Sequence, residues 1–292
     1  MHTGLSPGEP MAMKIRKLLE QATRELSACQ ADTARTDAEL LLCHALGVNR
    51  SFIYANPEHV PPQASQQDFL RLAEERARGI PIAYLTGKRS FWSLELMVNA
   101  NVLIPRPETE LLVETALSLA PDSTMQRIVD LGTGSGAIAL SLAKERPSWE
   151  VHATDLSPQA LEVARENARR NGLEHVQFHQ GSWTKPLAGK FDQIISNPPY
   201  VAPYDKHLLQ GDCRFEPRTA LTPGGDGLDA LRQIATESRA LLNPRGWLLL
   251  EHGYSQGPEA RELLNSAGYQ EIRTIRDLAG IERVCCGRMY RP

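Results

Sequence analysis

A polar tetrad follows an apolar run near the middle of the chain, and its residue types suit the activation of a planar amine. The run FDQIIS ends in Asn197-Pro198-Pro199-Tyr200. The Asn197 side-chain oxygen and the rigidly held Pro198 carbonyl are two hydrogen-bond acceptors, and the Tyr200 ring can pack on a flat group. Two acceptors that hold both hydrogens of an NH2 group turn its lone pair out of conjugation, so that the nitrogen can attack a methyl carbon. A strand that merely ends in two prolines and a surface tyrosine is the alternative interpretation.

A second candidate site is the segment VDLGTGSGAIA, residues 129–139, between a predicted strand and a predicted helix. Gly132, Gly134 and Gly136 lack a Cβ atom, so the backbone can turn sharply and approach a ligand closely. The segment fits the dinucleotide pattern G-x-G-x-x-A, and Asp155 follows at about the 20-residue distance of NAD-binding proteins. The loop and Asp155 alone are therefore compatible with NAD.

Two features favour a cationic ligand over a dinucleotide. Asp130 stands before the glycines, where a carboxylate is poorly placed beside a pyrophosphate and well placed near a positive charge. Gly136 is one position earlier than the dinucleotide pattern prefers. D-x-G-x-G-x-G resembles the S-adenosylmethionine loop of class I methyltransferases, whose cofactor has a sulfonium and an ammonium but no phosphate. We therefore predict S-adenosyl-L-methionine as the cofactor.

Two further polar or aromatic residues follow predicted strands. We expect the Asp155 carboxylate to accept hydrogen bonds from ribose hydroxyls. Capping of the next helix is the alternative, although Ser157 before Pro158 suits that role better. Trp183 is either a core residue or a side chain that flanks the adenine.

The elements that must position these residues alternate between strand and helix after residue 126. Runs such as RIVDLG and FDQIISN alternate with helical patterns such as PQALEVARENARR, which is typical of an α/β fold with a mainly parallel sheet. The last two strands are joined only by LAGI, so we expect them to pair antiparallel at one end of the sheet. Because the carboxyl ends of the strands form the ligand crevice in such folds, the four candidate groups should converge on one edge.

We predict four segments along the chain. Residues 1–13 have little apolar content and are expected to form a flexible tail. Residues 14–86 have the apolar periodicity of a small helical bundle, with Gly47 as a helix C-cap. The family resemblance described below implies that this bundle recognises the substrate. Residues 87–105 are predicted to be a β-hairpin linker with a turn at VNAN, and residues 106–292 the methyltransferase domain.

Composition excludes several classes of protein. The 292 residues have a formal net charge of -3, and residues 1–95 contain 11 Lys/Arg and 11 Asp/Glu, so direct nucleic-acid binding is not expected. No apolar run reaches the ~20 residues of a membrane helix and no signal-peptide core is found, so we expect a cytoplasmic protein without a membrane partner. Five cysteines without a Cys-x-x-Cys pair indicate reduced thiols, and no Cys/His spacing indicates a metal site.

Together these motifs resemble the HemK/PrmC-type protein-glutamine methyltransferases. DLGTGSG followed by NPPY is shared with other amino-methylating enzymes, including DNA methyltransferases. The more specific segments are VLIPRPETE (102–110), GDCRFEPRTAL (211–221), LLLEHGYSQG (248–257) and DLAGIERV (277–284). The resemblance covers the chain from about residue 14 to the end.

The resemblance implies a five-helix-like N-terminal domain and a Rossmann-like domain with a seven-stranded sheet. It also implies methylation of the glutamine side-chain amide in the Gly-Gly-Gln motif of peptide chain release factors. The residues predicted to bind cofactor are Asp130, Gly132, Thr133, Gly134, Ser135, Gly136, Asp155, Trp183 and Asn197. The residues predicted to bind the glutamine are Asn197, Pro198, Pro199 and Tyr200, of which Asn197, Pro198 and Tyr200 are the catalytic ones. Ser182 stands where many relatives have an acid, which affects a minor cofactor contact.

Several alternatives stay open from the sequence. A nucleic-acid amino-methyltransferase, acting on adenine or cytosine, would share both motifs but should have a basic face for phosphates. An NAD-dependent oxidoreductase would explain the glycine loop and Asp155, yet it leaves NPPY unexplained and no His or Lys suggests a hydride site. A catalytically silent binding protein would keep the motifs without turnover. The Pro- and Gly-rich loop between Tyr200 and Asp226 is interpreted as a substrate-facing lid.

Overall fold

The chain folds into two compact units, Met1–Thr86 and Gly87–Pro292. The structure is a computed structural model that describes residues 13–29, 33–120 and 125–290. The predicted tail falls almost entirely on residues 1–12, which lie outside the described residues.

The first unit is a bundle of helices whose apolar faces meet in one core. Its helices within the described residues are α1 (Ile15–Ser27), α2 (Ala34–Leu46), α3 (Arg50–Ala55), α4 (Gln63–Ala77) and α5 (Ile82–Thr86). The buried residues of α1 recur three or four positions apart from Ile15 to Leu26, which is the spacing of one helix face. Gly47 is the C-cap of α2 in the left-handed conformation, with φ 65°, as the sequence predicts.

The two short helices of this unit were not predicted individually. α3 and α5 have 6 and 5 residues, so neither is long enough for the helical spacing of apolar residues to be recognised in the sequence. A local signal does exist at α3, because the Asn49 side chain accepts a hydrogen bond from the Phe52 N–H at 3.0 Å.

A buried ion pair ties α2 to α4. Arg76 Nε donates to Asp37 Oδ2 at 2.8 Å, and Arg76 Nη1 donates to the Ile80 carbonyl at 3.1 Å. Both side chains are buried. A charge is tolerated in such a place because its partner and the carbonyl replace the hydrogen bonds that water would supply.

The second unit begins with an antiparallel hairpin formed by β1 (Lys88–Phe91) and β2 (Leu94–Met97). Its turn lies at Trp92 and Ser93, where Trp92 has φ 54°. VNAN forms a turn as predicted, since the Val102 N–H donates to the Asn99 carbonyl at 3.1 Å, but this turn is not the one that joins the two strands. The period-two burial continues from β2 to Val98, and VNAN therefore follows the second strand instead of separating two strands.

The remainder of the second unit is a mainly parallel sheet between helices. The strands are β3 (Arg127–Leu131), β4 (Glu150–Asp155), β5 (Gln177–Gln180), β6 (Phe191–Ser196), β7 (Leu242–Glu251), β8 (Gln270–Arg276) and β9 (Glu282–Arg288). The helices are α6 (Glu110–Ser118), α7 (Ala137–Glu145), α8 (Pro158–Arg170), α9 (Arg218–Leu221), α10 (Asp229–Ser238) and α11 (Gly257–Ser266).

The order of the seven strands in the described residues is β5-β4-β3-β6-β7-β9-β8. The pairs from β5 to β7 are parallel, and β9 is antiparallel to both β7 and β8. The predicted fold class, including the antiparallel last two strands at one end, is confirmed.

Both faces of the central strands are buried, because successive residues enter two different cores. Ile195 packs with residues of α6 and α7, whereas Ile194 packs with residues of α10 and α11. The central strands are consequently near-continuous apolar runs, which is the usual composition of a covered parallel sheet. Within the described ranges, no helix combines the length and the apolar character required to cross a membrane.

We predict that Asp37→Ala lowers the free energy of unfolding by ~3 kcal/mol, because the buried Arg76 guanidinium loses the carboxylate to which its Nε donates. The matched control is Glu75→Ala, which removes a more exposed i,i+4 pair with Arg71 and should cost less than ~1 kcal/mol. Urea denaturation followed by circular dichroism measures both values. Equal costs for the two variants would show that the buried pair adds nothing beyond a surface pair.

Candidate active site

Three neighbouring strands end at the same level and bring the candidate residues together. Leu131 at the end of β3 is paired with Thr154 of β4 and with Ser196 of β6. The glycine loop, Asp155 and the NPPY tetrad therefore begin side by side. β5 pairs with the far side of β4 and leads into the segment that contains Trp183.

These strand ends open into a cavity of about 450 Å³, which is within the range of small-molecule sites. The predicted site residues that line it are Gly132, Gly134, Asp155, Trp183, Asn197 and Pro199. The predicted site residues that do not line it are Asp130, Thr133, Ser135, Gly136, Pro198 and Tyr200. The first group forms the cavity wall and the second group lies beside or behind that wall.

The glycine loop needs its glycines for different reasons. Gly132 has φ 74°, and a Cβ atom there would lie 3.1 Å from the Trp183 ring. Gly134 has φ 55° with no atom within 4 Å of the Cβ position, so only its conformation requires glycine. A Cβ atom on Gly136 would meet the Leu140 side chain at 3.0 Å, which is a contact with α7 and not with the cavity.

Asp130 supports this loop from the interior. Its Oδ2 accepts hydrogen bonds from the Thr133 hydroxyl at 2.6 Å and from the Ala139 N–H at 3.3 Å. The residue is fully buried, and burial raises the pKa of its carboxyl to about 7. Asp130 therefore joins the glycine loop to the start of α7.

Asp155 lies at the cavity wall, where backbone groups orient its carboxylate. Oδ2 accepts from the Gly134 N–H at 2.8 Å and Oδ1 accepts from the Ser157 N–H at 2.9 Å. Burial raises the pKa of this carboxyl. Ser157 is the N-cap of α8 through the Ala160 N–H, as predicted, so Asp155 is not needed for that role.

Trp183 lies against Gly132 on the same wall. It has φ 47°, an uncommon conformation for a bulky residue, and its Nε1–H donates to Gln233 Oε1 at 3.2 Å. Its ring also packs against the core formed with α10 and α11. The sequence left open whether Trp183 is a core residue or a wall residue, and the structure places it in both positions at once.

The NPPY tetrad presents two oxygen acceptors. Asn197 Nδ2 donates to the Thr109 hydroxyl at 3.0 Å. Within the described residues, neither Asn197 Oδ1 nor the Pro198 carbonyl receives a hydrogen bond. Because Asn197 lines the cavity, this arrangement offers acceptors to a ligand that donates hydrogen bonds.

A buried carboxyl stands behind the tetrad. The Tyr200 hydroxyl donates to Glu251 Oε1 at 3.2 Å. Glu251 Oε2 has no partner among the described residues. Burial raises the pKa of Glu251 to about 7, and burial also raises the pKa of Tyr200.

Sequence reasoning missed a further part of the cavity wall. This part consists of Ala100, Asn101, Val102, Leu103, Pro217, Thr219 and Ala220. Glu216 links its two parts, because Oε1 accepts from the Ile104 N–H at 3.1 Å and Oε2 pairs with Arg106. VLIPRPETE and GDCRFEPRTAL contain these residues, except for Ala100 and Asn101, which precede VLIPRPETE. A motif gives no indication that two segments more than 100 residues apart share one wall.

The exposed rim includes Leu156, whose side chain is apolar and lies next to Asp155. The cavity thus combines an oriented carboxylate, apolar flanking groups, glycines that allow close approach of the backbone and the Asn197 side-chain oxygen. The Pro198 carbonyl follows Asn197 directly in the chain. Such a set suits a ligand with an aromatic ring and neighbouring hydroxyls, beside a second group that donates hydrogen bonds.

Comparison with known proteins finds relatives of both units of the chain. Residues 17–87 match the PrmC N-terminal domain and residues 107–226 match the Methyltransferase small domain. The release factor glutamine methyltransferase of Xylella fastidiosa (strain Temecula1) is 50% identical over 90% of this chain and 96% of its own length. The enzyme of the same name from Salmonella typhimurium is 46% identical over 94% of this chain and 99% of its own length.

A solved structure shows the same fold at lower identity. The hMettl16 catalytic domain, in complex with the MAT2A 3'UTR hairpin 6, superposes with a TM-score of 0.55 at 19% identity. The match covers 75% of this chain and 82% of that chain. At this identity the likeness concerns the fold alone.

We predict that Gly132→Ala destabilises the protein by ~2 kcal/mol and Gly134→Ala by only ~1 kcal/mol. Both variants put alanine at positive φ, but only the first also forces a methyl group against the Trp183 ring. Urea denaturation of the two variants measures the difference. If Gly134→Ala cost as much as Gly132→Ala, the close approach of Trp183 would not be the reason for the first glycine.

We predict that Glu251→Gln weakens the pH dependence of stability. Burial raises the pKa of Glu251 from 4.5 to about 7, so the folded protein holds a proton that the unfolded chain releases. Its contribution to stability is complete below pH 4.5 and is lost as the pH rises through 7.

Between pH 5 and pH 7, the wild-type protein should therefore lose ~2 kcal/mol more than the variant. Urea denaturation at both pH values gives this difference, and Glu259→Gln reports the effect of removing one exposed carboxyl. If the free energy of unfolding fell by the same amount between pH 5 and pH 7 in the wild type and in Glu251→Gln, that result would contradict a raised pKa at this position.

Proposed function

This chain belongs to the release factor glutamine methyltransferase family, and we propose that it methylates a glutamine side chain of peptide chain release factors with S-adenosyl-L-methionine. The methyl group goes to the amide nitrogen of the glutamine in the Gly-Gly-Gln motif. The observation that carries this proposal is the pair of free acceptors, Asn197 Oδ1 and the Pro198 carbonyl, beside the cavity that the glycine loop lines. An NH2 group is the ligand that such a pair suits best.

The cavity wall fits the cofactor. Gly132 and Gly134 allow close approach of the backbone, the Asp155 carboxylate suits ribose hydroxyls, and Trp183 offers an apolar face to adenine. Thr133, Ser135 and Gly136 continue the loop, and Asp130 fixes it from behind. When bound, S-adenosylmethionine supplies a methyl carbon on a positively charged sulfonium, which is a good leaving group.

The tetrad supplies the chemistry on the substrate side. Asn197 Oδ1 and the Pro198 carbonyl accept both N–H hydrogens of the glutamine and turn its nitrogen lone pair toward the cavity. Pro199 contributes to the wall, and Tyr200 fixes the following backbone through its hydrogen bond to Glu251. The residues described as lining the cavity include one titratable side chain, that of Asp155, so positioning does most of the work and the released proton goes to solvent.

The roles of the segments belong to the same proposal. Residues 14–86 recognise the release factor, 87–105 form the linker, and 106–292 hold both the cofactor and the glutamine. Because release factors act in translation, a cytoplasmic location is part of this proposal.

The nucleic-acid alternative has less support. The relatives with 46 and 50% identity are named for release factors, whereas the RNA-bound neighbour shares 19% identity. The chain also has a formal net charge of -3, so it lacks the excess of basic residues that phosphate binding requires. We therefore propose no direct nucleic-acid partner.

We predict that Asn197→Ala lowers kcat for release factor methylation by about 100-fold or more, because one of the two acceptors is lost. Cofactor affinity should change little, since the glycine loop and Asp155 remain. Transfer of labelled methyl groups from S-adenosylmethionine measures kcat, and calorimetry measures the cofactor affinity. The control is Asn265→Ala, which removes an exposed amide from α11.

The substrate is tested in the same assay with three acceptors. These are a bacterial release factor, its variant with glutamate in place of the Gly-Gly-Gln glutamine, and a mixture of DNA and RNA. Label should appear only in the unaltered release factor, and mass spectrometry should place it on that glutamine. Label confined to nucleic acid would reverse the proposal.

A further inference from the structure

The Asn167 side chain of α8 is fully buried, and its amide joins two separate parts of the cavity wall. Its Oδ1 accepts from the Met97 N–H at 2.6 Å, and its Nδ2 donates to the Met97 carbonyl at 2.9 Å. Nδ2 also donates to the Ser135 carbonyl at 2.9 Å. Since an NH2 group has two hydrogens, one is available for each carbonyl. A single side chain therefore links the end of β2 to the glycine loop.

The three hydrogen bonds fix the orientation of this amide. In the reversed orientation, the Asn167 oxygen would face the carbonyls of Met97 and Ser135, and its NH2 group would face an N–H group. Each of these contacts is repulsive at a place that water does not reach. The direction of the link is therefore determined by its backbone partners.

On the hairpin side, the link holds the start of a segment that lines the cavity. The two backbone groups of Met97 that bond Asn167 face away from β1, so the amide takes the place of a neighbouring strand at this edge of β2. Residues 100–103, which we call the wall segment, follow and line the cavity. Beyond them, the Ile104 N–H donates to Glu216. The wall segment is thus tied at both ends by polar side chains from distant parts of the sequence.

On the other side, the link holds the glycine loop by a carbonyl. The carboxyls of Asp130 and Asp155 accept hydrogens from this loop, whereas Asn167 donates one to it. Within the described residues, the Ser135 carbonyl has no other hydrogen bond. Ser135 directly follows Gly134, which lines the cavity, so a shift of this carbonyl would also move the wall.

Packing of α8 does not by itself require an amide at this position. An apolar residue at 167 would extend the buried face of the helix without the desolvation cost of a polar group. The amide instead meets backbone groups that lie 32 and 70 residues earlier in the sequence. The helix already buries five apolar side chains, which are Ala160, Leu161, Val163, Ala164 and Ala168.

We propose that Asn167 is a positioning residue for the cofactor, because it holds the wall segment at a fixed distance from the glycine loop. This inference rests on the proposed function only for the identity of the ligand, S-adenosylmethionine. Without the link, the two parts of the wall move independently, and the arrangement that fits the cofactor is occupied for only part of the time. If that fraction is about a tenth, the cofactor affinity falls about 10-fold.

The first test measures cofactor binding to two variants of Asn167. Asn167→Ala should weaken the binding of S-adenosylmethionine and of S-adenosylhomocysteine about 10-fold in calorimetry, at a temperature where circular dichroism shows the protein to be folded. Asn167→Asp has nearly the same shape and should lose at least as much. Even a protonated carboxyl has only one hydrogen, so it cannot bond both carbonyls.

Two controls separate the link from helix attachment and from stability. Asn171→Ala removes an amide one turn later on α8, which bonds the Glu95 carbonyl of the hairpin at 3.4 Å. Asp37→Ala destabilises the helical unit instead. Both variants should keep the cofactor affinity within about 2-fold of the wild type, because neither residue bonds the glycine loop. A loss in either control equal to that of Asn167→Ala would refute the positioning role.

Steady-state kinetics distinguish positioning of the cofactor from a general loss of activity. The KM for S-adenosylmethionine should rise about 10-fold in Asn167→Ala, while kcat at saturating cofactor stays within about 3-fold of the wild type, because bound cofactor restores the arrangement of the wall. A variant whose kcat falls while its KM is unchanged would contradict this expectation.

Hydrogen exchange tests the link in the wild-type protein, so the test does not depend on the folding of a variant. Both hydrogens of the Asn167 NH2 group, assigned by triple-resonance NMR, should exchange slowly with solvent. Addition of S-adenosylhomocysteine should slow them further, because the ligand stabilises the arrangement in which the link is closed. Exchange that is equally fast with and without the ligand would refute the inference.

Calorimetry and hydrogen exchange use the cofactor or its product alone, so they do not depend on the release factor. Failure of the wild type to methylate release factor would overturn only the proposed function. Wild-type cofactor affinity in folded Asn167→Ala would overturn only the inference drawn from Asn167.

Discussion

The parallel pairing of β3 with β4 and β6 is the constraint on which the site depends. The Gly132 and Thr133 N–H groups both donate to the Thr154 carbonyl, and the Ser196 hydroxyl donates to the Leu131 carbonyl. A slip of one residue in either pair would send every side chain of that strand to the other face of the sheet. The distance between the glycine loop and the NPPY tetrad is therefore set by the sheet, and not by the loops themselves.

Two buried carboxyls support the two loops in the same manner. Asp130 accepts the Thr133 hydroxyl behind the glycine loop, and Glu251 accepts the Tyr200 hydroxyl behind the tetrad. In each case a hydroxyl separates the carboxyl from the segment that faces the cavity. Burial raises the pKa of both carboxyls to about 7, which is a cost in stability above that pH. The rigidity of the loops is the benefit that offsets this cost.

The parts that could be predicted from the sequence are those encoded locally. The alternation of strands and helices gave the α/β class, and the residues after each strand gave the glycine loop, Asp155 and NPPY. A motif does not give the direction of a side chain, and Asp130 and Tyr200 lie behind the wall because their oxygens find partners in the interior. Thr109 and Glu251 were not singled out, since they meet Asn197 and Tyr200, respectively, only after folding.

The free acceptors also give a physical reason for selecting an amide over related groups. A glutamine NH2 group has two hydrogens and satisfies Asn197 Oδ1 and the Pro198 carbonyl together, whereas a hydroxyl has one hydrogen and leaves an acceptor unpaired. A glutamate carboxylate has none, so acceptors would face acceptors at a site that is partly shielded from water. An unpaired polar group in such a place costs about 1–3 kcal/mol, and like partial charges add to that cost. The arrangement that orients the amide nitrogen for attack is thus also the arrangement that excludes its hydrolysed form.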